Sequence, residues 1–365
     1  MREALRSPPS FEEASNLRQR TRAAGMDPEH WYIVAMSRQV PVGTVRSVKF
    51  WGERFAVWRG EDGVVRAVED RCAHRHLPLS EGEVKGCRLT CQYHGWGHDG
   101  DGQVVDIPHE TFGKSPKFRV RAYEAREKYG MIWVFFGDRA TAAGRPLPVI
   151  EELEGPDPWP CEPLEYLWKA HHSMVMDNVS DYTHGYLHRR TEPFRDPKLL
   201  SVEPDEDKVV VKYDVRIGAG KWMEPFVHRN ALGSNSITLT YDYPYHRSNT
   251  DDHIKHFIGV LPEDERTTRV FFLLFYRALK VPGTALTVPK AAMRWVIKLG
   301  NRLVVDPVFA EDGAALELEQ AAWERHWDQP IAELNPQVKA FQELTISKWE
   351  RWLRRSGQVT ALSAK

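Results

Sequence analysis

The chain has 365 residues, 42% of them hydrophobic and 28% charged, with 50 basic side chains against 51 acidic ones and a formal net charge of -1. This length and apolar content suit two folded domains and exclude disorder or a fibrous repeat. The near-neutral charge argues against nucleic acid as a partner, since phosphate-dominated binding needs a clustered positive excess. A mean hydropathy of -0.51, with apolar runs no longer than stretches such as 270–276, predicts no membrane-spanning segment.

Residues 1–29 are polar and Arg-rich with helical spacing. They read as an N-terminal helical extension with little to bury, and the lack of an apolar signal core reads as a cytoplasmic start. From Trp31 the texture becomes strand-like. Runs at 55–59 and 64–69 flank Gly60-Glu61-Asp62-Gly63, a hairpin-turn sequence. A second turn, Asp99-Gly100-Asp101-Gly102, precedes a strand at 103–107, and 129–136 reads as a buried strand. Residues 30–138 are therefore expected to form a small all-β domain.

A Gly- and Pro-rich stretch at 144–160 reads as a linker. Beyond it, strands are expected at 208–217, 236–245, 254–261 and 269–279, with helices at 174–188, 290–305, 307–327 and 336–355. The last helix opens with Asn335 as cap and Pro336 at the first helical position, where a missing N–H costs nothing. Residues 139–355 thus read as helices on an antiparallel sheet, and 356–365 as a tail. The predicted class is α+β.

Two constellations carry chemistry. In the first, Cys72-Ala-His74 is followed, after sixteen intervening residues, by Cys91-Gln-Tyr-His94-Gly-Trp. Two loops, each giving one thiolate and one imidazole, can converge on one metal centre. A structural Cys2His2 zinc needs the same ligand types but usually keeps like ligands together, whereas each pair here is mixed. His76 is a competing donor that reads as an ordinary loop histidine, and Cys87 as a spare thiol.

In the second, Asp177, Asn178, Asp181, His184 and His188 follow one another at spacings that, on one continuous helix, bring the carboxylates and imidazoles to a common face. Two imidazoles a turn apart plus one carboxylate from elsewhere make the 2-His-1-carboxylate triad of non-haem iron sites.

Cys-x-His followed by Cys-x2-His in a β domain, then Asn-x2-Asp-x2-His-x3-His beyond a linker, resembles the Rieske non-haem iron oxygenases over residues 30–355, in particular their homotrimeric branch of ketosteroid hydroxylases and sterol and chlorophyll-pathway oxygenases. One departure is the three-residue gap between His184 and His188, where most members have four; residue 189 is arginine, so His188 remains the candidate. The cysteines that buttress respiratory-chain Rieske proteins are replaced by Leu77 and Tyr93, which points to the oxygenase branch.

The resemblance implies an N-terminal Rieske domain and a helix-grip catalytic domain. It implies a [2Fe–2S] cluster on Cys72, His74, Cys91 and His94, and a mononuclear Fe(II) on His184, His188 and Asp312, with Glu311 and Glu317 as competitors for the third position. Asp181 is then expected to hydrogen-bond both His184 and His94 of the neighbouring protomer in a head-to-tail homotrimer, and Asn178 to stand near the open iron face. The implied activity is hydroxylation or oxidative dealkylation of an apolar or polycyclic substrate. O2 is the co-substrate, and electrons come from an NAD(P)H-dependent reductase or ferredoxin. Arene cis-dihydroxylation is the nearest alternative, and an electron-transfer or redox-sensor protein the alternative of another class.

The stripe Lys290, Arg294, Lys298 and Arg302 reads first as a solvated helix face, with an acidic redox partner or peripheral contact with anionic lipid as alternatives. His171 and His172 read as structural, with a place for one of them in the pocket lining as the alternative. Tyr182, Tyr186, Trp222, Phe226, Tyr241 and Tyr243 are candidates for an apolar cavity or for the core.

Overall fold

The computed structural model describes residues 7–108, 117–189, 191–217, 234–279, 281, 284 and 286–357. Trp222 and Phe226 lie outside them. The chain divides into two compact units. One is Asp27–Val149 with Leu261–Asp264; the other is Met1–Met26, Ile150–Val260 and Glu265–Lys365.

In the first unit, β1 (Trp31–Met36), β2 (Val45–Phe50), β3 (Glu53–Arg59), β4 (Val65–Glu69), β9 (Ala122–Lys128) and β10 (Met131–Phe135) form a six-stranded antiparallel sheet in the order β1-β10-β9-β4-β3-β2. β5 (Glu83–Lys85), β6 (Arg88–Thr90), β7 (Gly97–His98) and β8 (Val104–Asp106) make a smaller four-stranded sheet. Two-residue turns join β2 to β3 and β9 to β10. Trp51-Gly52 and Tyr129-Gly130 both hold positive φ throughout, the twist that suits such hairpins. Tyr129 and Gly130 are therefore a turn and not the start of a strand. Trp58, Val68, Leu79, Leu89 and Val120 close the core around Cys72 and Cys91.

The second unit holds a seven-stranded sheet in the order β11-β17-β16-β15-β14-β13-β12. Its strands are β11 (Leu164–Trp168), β12 (Phe194–Pro204), β13 (Lys208–Ile217), β14 (Ser234–Asp242), β15 (Tyr245–Thr250), β16 (Ile254–Asp264, whose last four residues count with the first unit) and β17 (Thr267–Tyr276). Period-two burial of Val209, Val211, Tyr213 and Val215 on β13 identifies the face that packs on helices. On that face Tyr213 Oη donates to the Ser180 carbonyl at 3.3 Å, and Tyr241 Oη meets Thr345 Oγ1 at 3.3 Å. Tyr241 is thus a core residue, while Tyr186 is exposed.

The helices of this unit are α1 (Leu17–Ala23), α3 (His172–Ser180), α4 (Lys290–Gly300), α5 (Asp306–His326) and α6 (Pro336–Ser356); the short α2 (Arg139–Ala142) belongs to the first unit. Two helical expectations need correction. The segment 174–188 is not one helix: α3 ends at Ser180, Asp181 is extended (φ -108°, ψ 97°), and a 3-10 turn follows at Tyr182–Tyr186. The Asp181 carboxylate accepts from Thr183 N at 2.8 Å, a local bond that competes with continued helix. The segment 290–305 passes through a π-helical turn at Asn301–Val305, which runs on into α5.

The N-terminal segment buries more than its composition suggested. Phe11 and Ala24 cluster with Ile346 and Leu353 of α6. Arg22 is buried because its charge is met: Asp177 Oδ2 lies at 2.6 Å and Glu319 Oε1 at 2.9 Å, with Ser173 Oγ at 2.7 Å and Gln342 also donating to Asp177. This network ties together α1, α3, α5 and α6. Among the described residues no helix is long and apolar enough to cross a membrane.

Candidate metal centres

The two cluster loops are built alike. Cys72 N donates to Leu77 O at 2.7 Å and His76 N returns to Cys72 O at 2.9 Å; Cys91 N donates to Trp96 O at 2.9 Å and Gly95 N returns to Cys91 O at 3.0 Å. Each loop turns at a residue of positive φ four positions after its cysteine, His76 (59°) in one and Gly95 (73°) in the other. The unequal spacings, Cys-x-His and Cys-x2-His, therefore sit on one shared turn geometry.

The loops bring His74 and His94 to a ring separation of 4.5 Å, and Trp96 stacks on His74 at 4.6 Å. His98, fully buried on β7, accepts from Ala73 N and ties one loop to the strand behind the other. Cys72 and Cys91 are free, buried thiols. Burial pushes the Cys72 thiol up to about 11, with Cys91 beside it adding to the effect. His74 Nδ1 is buried without a hydrogen-bond partner. Two neighbouring buried thiols and an orphaned imidazole nitrogen fit a cluster that replaces the protons and fills the gap. Cys87 is exposed and apart from this group.

In the other unit, His184, His188 and Asp312 each present a ligand atom, all within 4.8 Å of one another. Asp312 Oδ1 lies 3.5 Å from His184 Nε2 and 3.3 Å from His188 Nε2. His188 Nε2 nevertheless makes no hydrogen bond and is shut off from solvent. An unpartnered nitrogen beside a second imidazole and a buried carboxylate fits a metal ion, and donors of this kind suit ferrous iron.

The opposite ring nitrogens are held in place. His188 Nδ1 meets Glu311 Oε2 at 2.9 Å, and His184 Nδ1 meets the backbone carbonyl of Asp181. Both contacts favour the tautomer that leaves Nε2 bare for a metal. Burial holds the His184 imidazole below its ordinary value, and the Asp312 carboxylate only partly offsets it. At His188 burial acts in the same direction, but Asp312 and Glu311 outweigh it and hold that imidazole above its ordinary value. The edge of Phe194 packs on both rings.

Asn178 Nδ2 donates to Asp312 Oδ1 at 3.1 Å. The Asp181 carboxylate accepts from Thr183 N and from Asn335 Nδ2 at 3.0 Å. Within the chain it is therefore the Asp181 carbonyl, and not its carboxylate as expected, that meets His184. Asp177 points into the Arg22 network and takes no part in the triad, because the helix break at Asp181 turns the histidines onto a different axis. Of the competitors for the third position, Glu311 is engaged with the outer nitrogen of His188, and Glu317 accepts from Lys169 N at 3.3 Å.

Sequence reasoning took Asn335 as a helix cap, but its side chain makes no capping bond and donates to Asp181 instead; it missed Phe194 and Trp168. A Cβ on Gly313 would fall 2.5 Å from Trp168 Nε1, so a glycine next to Asp312 lets α5 lie close on β11. The Gly after an acidic pair was the available signal.

Residues 30–123 match the family model of the Rieske [2Fe-2S] domain, and 168–353 match that of the vanillate O-demethylase oxygenase C-terminal domain. The chain is 41% identical to a 4beta-methylsterol monooxygenase of Methylococcus capsulatus, over 92% of each chain. It is 33% identical to a vanillate O-demethylase oxygenase subunit of a Pseudomonas, over 51% of this chain and 55% of that one. The crystal structure of dicamba monooxygenase bound to dicamba shares the fold, with a TM-score of 0.72 over 92% of this chain and all of that one at 18% identity. The family predicted from two Cys/His loops and a late carboxylate is the family found: the chain is a Rieske non-haem iron oxygenase, with an N-terminal Rieske domain and a sheet-and-helix catalytic domain.

Proposed function

We propose that this oxygenase hydroxylates a methyl carbon of a 4-methylsterol or a closely similar polycyclic alcohol. The observation that carries the substrate is the 41% identity to a 4beta-methylsterol monooxygenase, spread over 92% of both chains. The overall change is R–CH3 + O2 + 2e⁻ + 2H⁺ → R–CH2OH + H2O. When bound, the cluster supplies single electrons and the ferrous ion supplies O2 activation at the positions its three protein ligands leave open.

In this reading Cys72, His74, Cys91 and His94 hold the cluster, and His184, His188 and Asp312 hold the iron. Glu311 and the Asp181 carbonyl fix the two imidazoles from behind. Asn178 holds one oxygen of Asp312 and so sets the angle at which the carboxylate faces the metal. Phe194 keeps water from one side of the imidazoles. The Asp181 carboxylate, bonded among the described residues only to Thr183 N and Asn335, has lone-pair capacity left for His94 of a neighbouring protomer, which supports a head-to-tail homotrimer. Electrons come from an NAD(P)H-dependent reductase or ferredoxin.

The test is holoprotein with a reductase and ferredoxin, supplied with a 4β-methylsterol and followed by O2 uptake and mass spectrometry. Uptake coupled to a product heavier by one oxygen is expected. Fully metal-loaded protein that consumes no O2 with this substrate would reject the reading. An electron-transfer protein would carry two irons per chain, against three for the oxygenase.

A further inference from the structure

From the surface of α4 we infer that this helix and the turn after it lie flat on an anionic lipid bilayer. The helix is apolar on two faces. Met293, Ile297 and, one turn on, Asn301 point inward and are buried. On the outer side Trp295, Leu299 and Leu303 recur every four residues at 75%, 59% and 65% exposure. Single exposed apolar residues are ordinary, but three in register on one ridge form a patch that a soluble surface does not need.

A second row runs beside the ridge. Lys290, Arg294, Lys298 and Arg302 each stand one residue ahead of an outward position, and no Asp or Glu occurs from 290 to 305. Lys290 pairs with Asp157 and Arg294 with Glu162. Lys298 and Arg302 have no carboxylate partner among the described residues, and Lys298 lies over the Trp295 ring at 6.0 Å. An apolar ridge flanked by cations that reach the headgroup level is the pattern of an interfacial helix.

The charge row favours lipid over another copy of the same face. In a two-fold contact the patch meets itself, and Lys298 and Arg302, which no carboxylate pairs among the described residues, would face their own copies with no acidic residue in the segment to relieve them. The unpaired positive charge on this helix is that of Lys298 and Arg302, in a chain that as a whole is close to neutral.

The placement bears on the reaction. α4 continues through the π-helical turn into α5, and Asp312 follows Leu303 by nine residues, about 14 Å along a helical rod at 1.5 Å per residue. A substrate that dissolves in bilayers would thus be taken up a short distance from the candidate iron ligand. This delivery role rests on the proposed sterol reading; lipid binding itself does not.

The experiment is flotation of the full-length holoprotein with phosphatidylcholine vesicles, with and without about 30 mol% phosphatidylglycerol. The wild-type chain should float with the anionic vesicles and be released by salt. K298E/R302E should lower that binding about tenfold or more, since each basic residue near such a surface contributes severalfold. L299S/L303S should weaken it as well. Both variants should keep iron content, oligomeric mass and turnover of detergent-dispersed substrate. A wild-type chain that floats with neither vesicle, or variants that float as well as wild type, would overturn the inference. So would a change of oligomeric mass in L299S/L303S, which would assign the ridge to a second copy of the chain. The flotation, iron and mass readings do not depend on the identity of the oxidised substrate.

Discussion

Nδ1 of His188 and Oε2 of Glu311 stand 2.9 Å apart, although the two residues are 123 positions apart in the chain. The carboxylate next to Asp312 therefore fixes the ring that faces it. A carboxylate behind a metal-binding imidazole raises its basicity and locks its orientation. Glu311→Ala should lower Fe(II) affinity by about 10- to 100-fold, with a smaller loss in Glu311→Gln. Asp312→Ala should abolish iron binding. Titration of apoprotein with Fe(II), with the visible spectrum of the cluster as internal control, separates the two. Equal losses in Glu311→Ala and Asp312→Ala would mean that Glu311 itself is a ligand.

In the proposed reading Asp181 combines a structural and an electronic task, and two variants test them. Asp181→Asn keeps an acceptor for Thr183 N but loses the charge, while Asp181→Ala loses both, at about 1 kcal/mol of capping. Both variants should retain three irons per chain. Both should lose nearly all turnover while the cluster remains reducible by dithionite. Full activity in either would refute a route between protomers through this side chain.

Gly313 offers a geometric test. A methyl group there would meet Trp168 Nε1 at 2.5 Å, so Gly313→Ala must push α5 from β11 and move Asp312 with it. The expected result is about 1–3 kcal/mol of destabilisation with reduced iron occupancy and an unaltered cluster spectrum. A Trp168→Phe background, which removes the clashing nitrogen, should restore part of the iron.

For the cluster, Cys72→Ser and Cys91→Ser should each bleach the visible absorption, whereas Cys87→Ser should leave it unchanged. A colourless wild-type protein with full zinc would instead assign the four residues to a structural site.

Two buried imidazoles outside the metal sites predict a pH effect. His256 Nε2 lies 2.9 Å from His246 Nδ1 between the sheet and Phe341 of α6. Burial drives His256 down to about 3 and His246 well below its ordinary value. The folded state thus binds fewer protons than the unfolded chain below about pH 6.5, so stability is complete above that pH and is lost as pH falls toward the folded values. His171 and His172 act in the same direction, and Asp177, raised to about 6 by burial against the pull of Arg22, acts in the opposite one. His246→Gln/His256→Gln should therefore flatten the fall in unfolding free energy, measured by urea titration, between pH 6.5 and 5, by up to about 1.4 kcal/mol per pH unit for each imidazole removed. An unchanged slope would show that the pair takes up protons in the folded protein as readily as in the unfolded chain.

The cluster loops were legible because each ligand pair sits in a window of a few residues, where spacing reports geometry directly. The break at Asp181 was not, since His184 and His188 keep a helical spacing across a 3-10 turn. Its only local sign was an aspartate able to cap Thr183. The edge strand β12 was hidden by Pro197 and Pro204, residues that a central strand rejects and an edge tolerates. The burial of Arg22 depends on Asp177 and Glu319, far away in sequence, and no reading of the N-terminal segment by itself would have found them.

The two centres also differ in when they can be assembled. All four candidate cluster ligands lie between residues 72 and 94, so that pocket can close while later parts of the chain are still being synthesised. The iron pocket needs α5 laid against β11 and beside the 3-10 turn, and so exists only after residue 312 has emerged and the second sheet has formed. Topology therefore sets the order in which the two pockets can form, the candidate cluster loops first and the candidate iron pocket last.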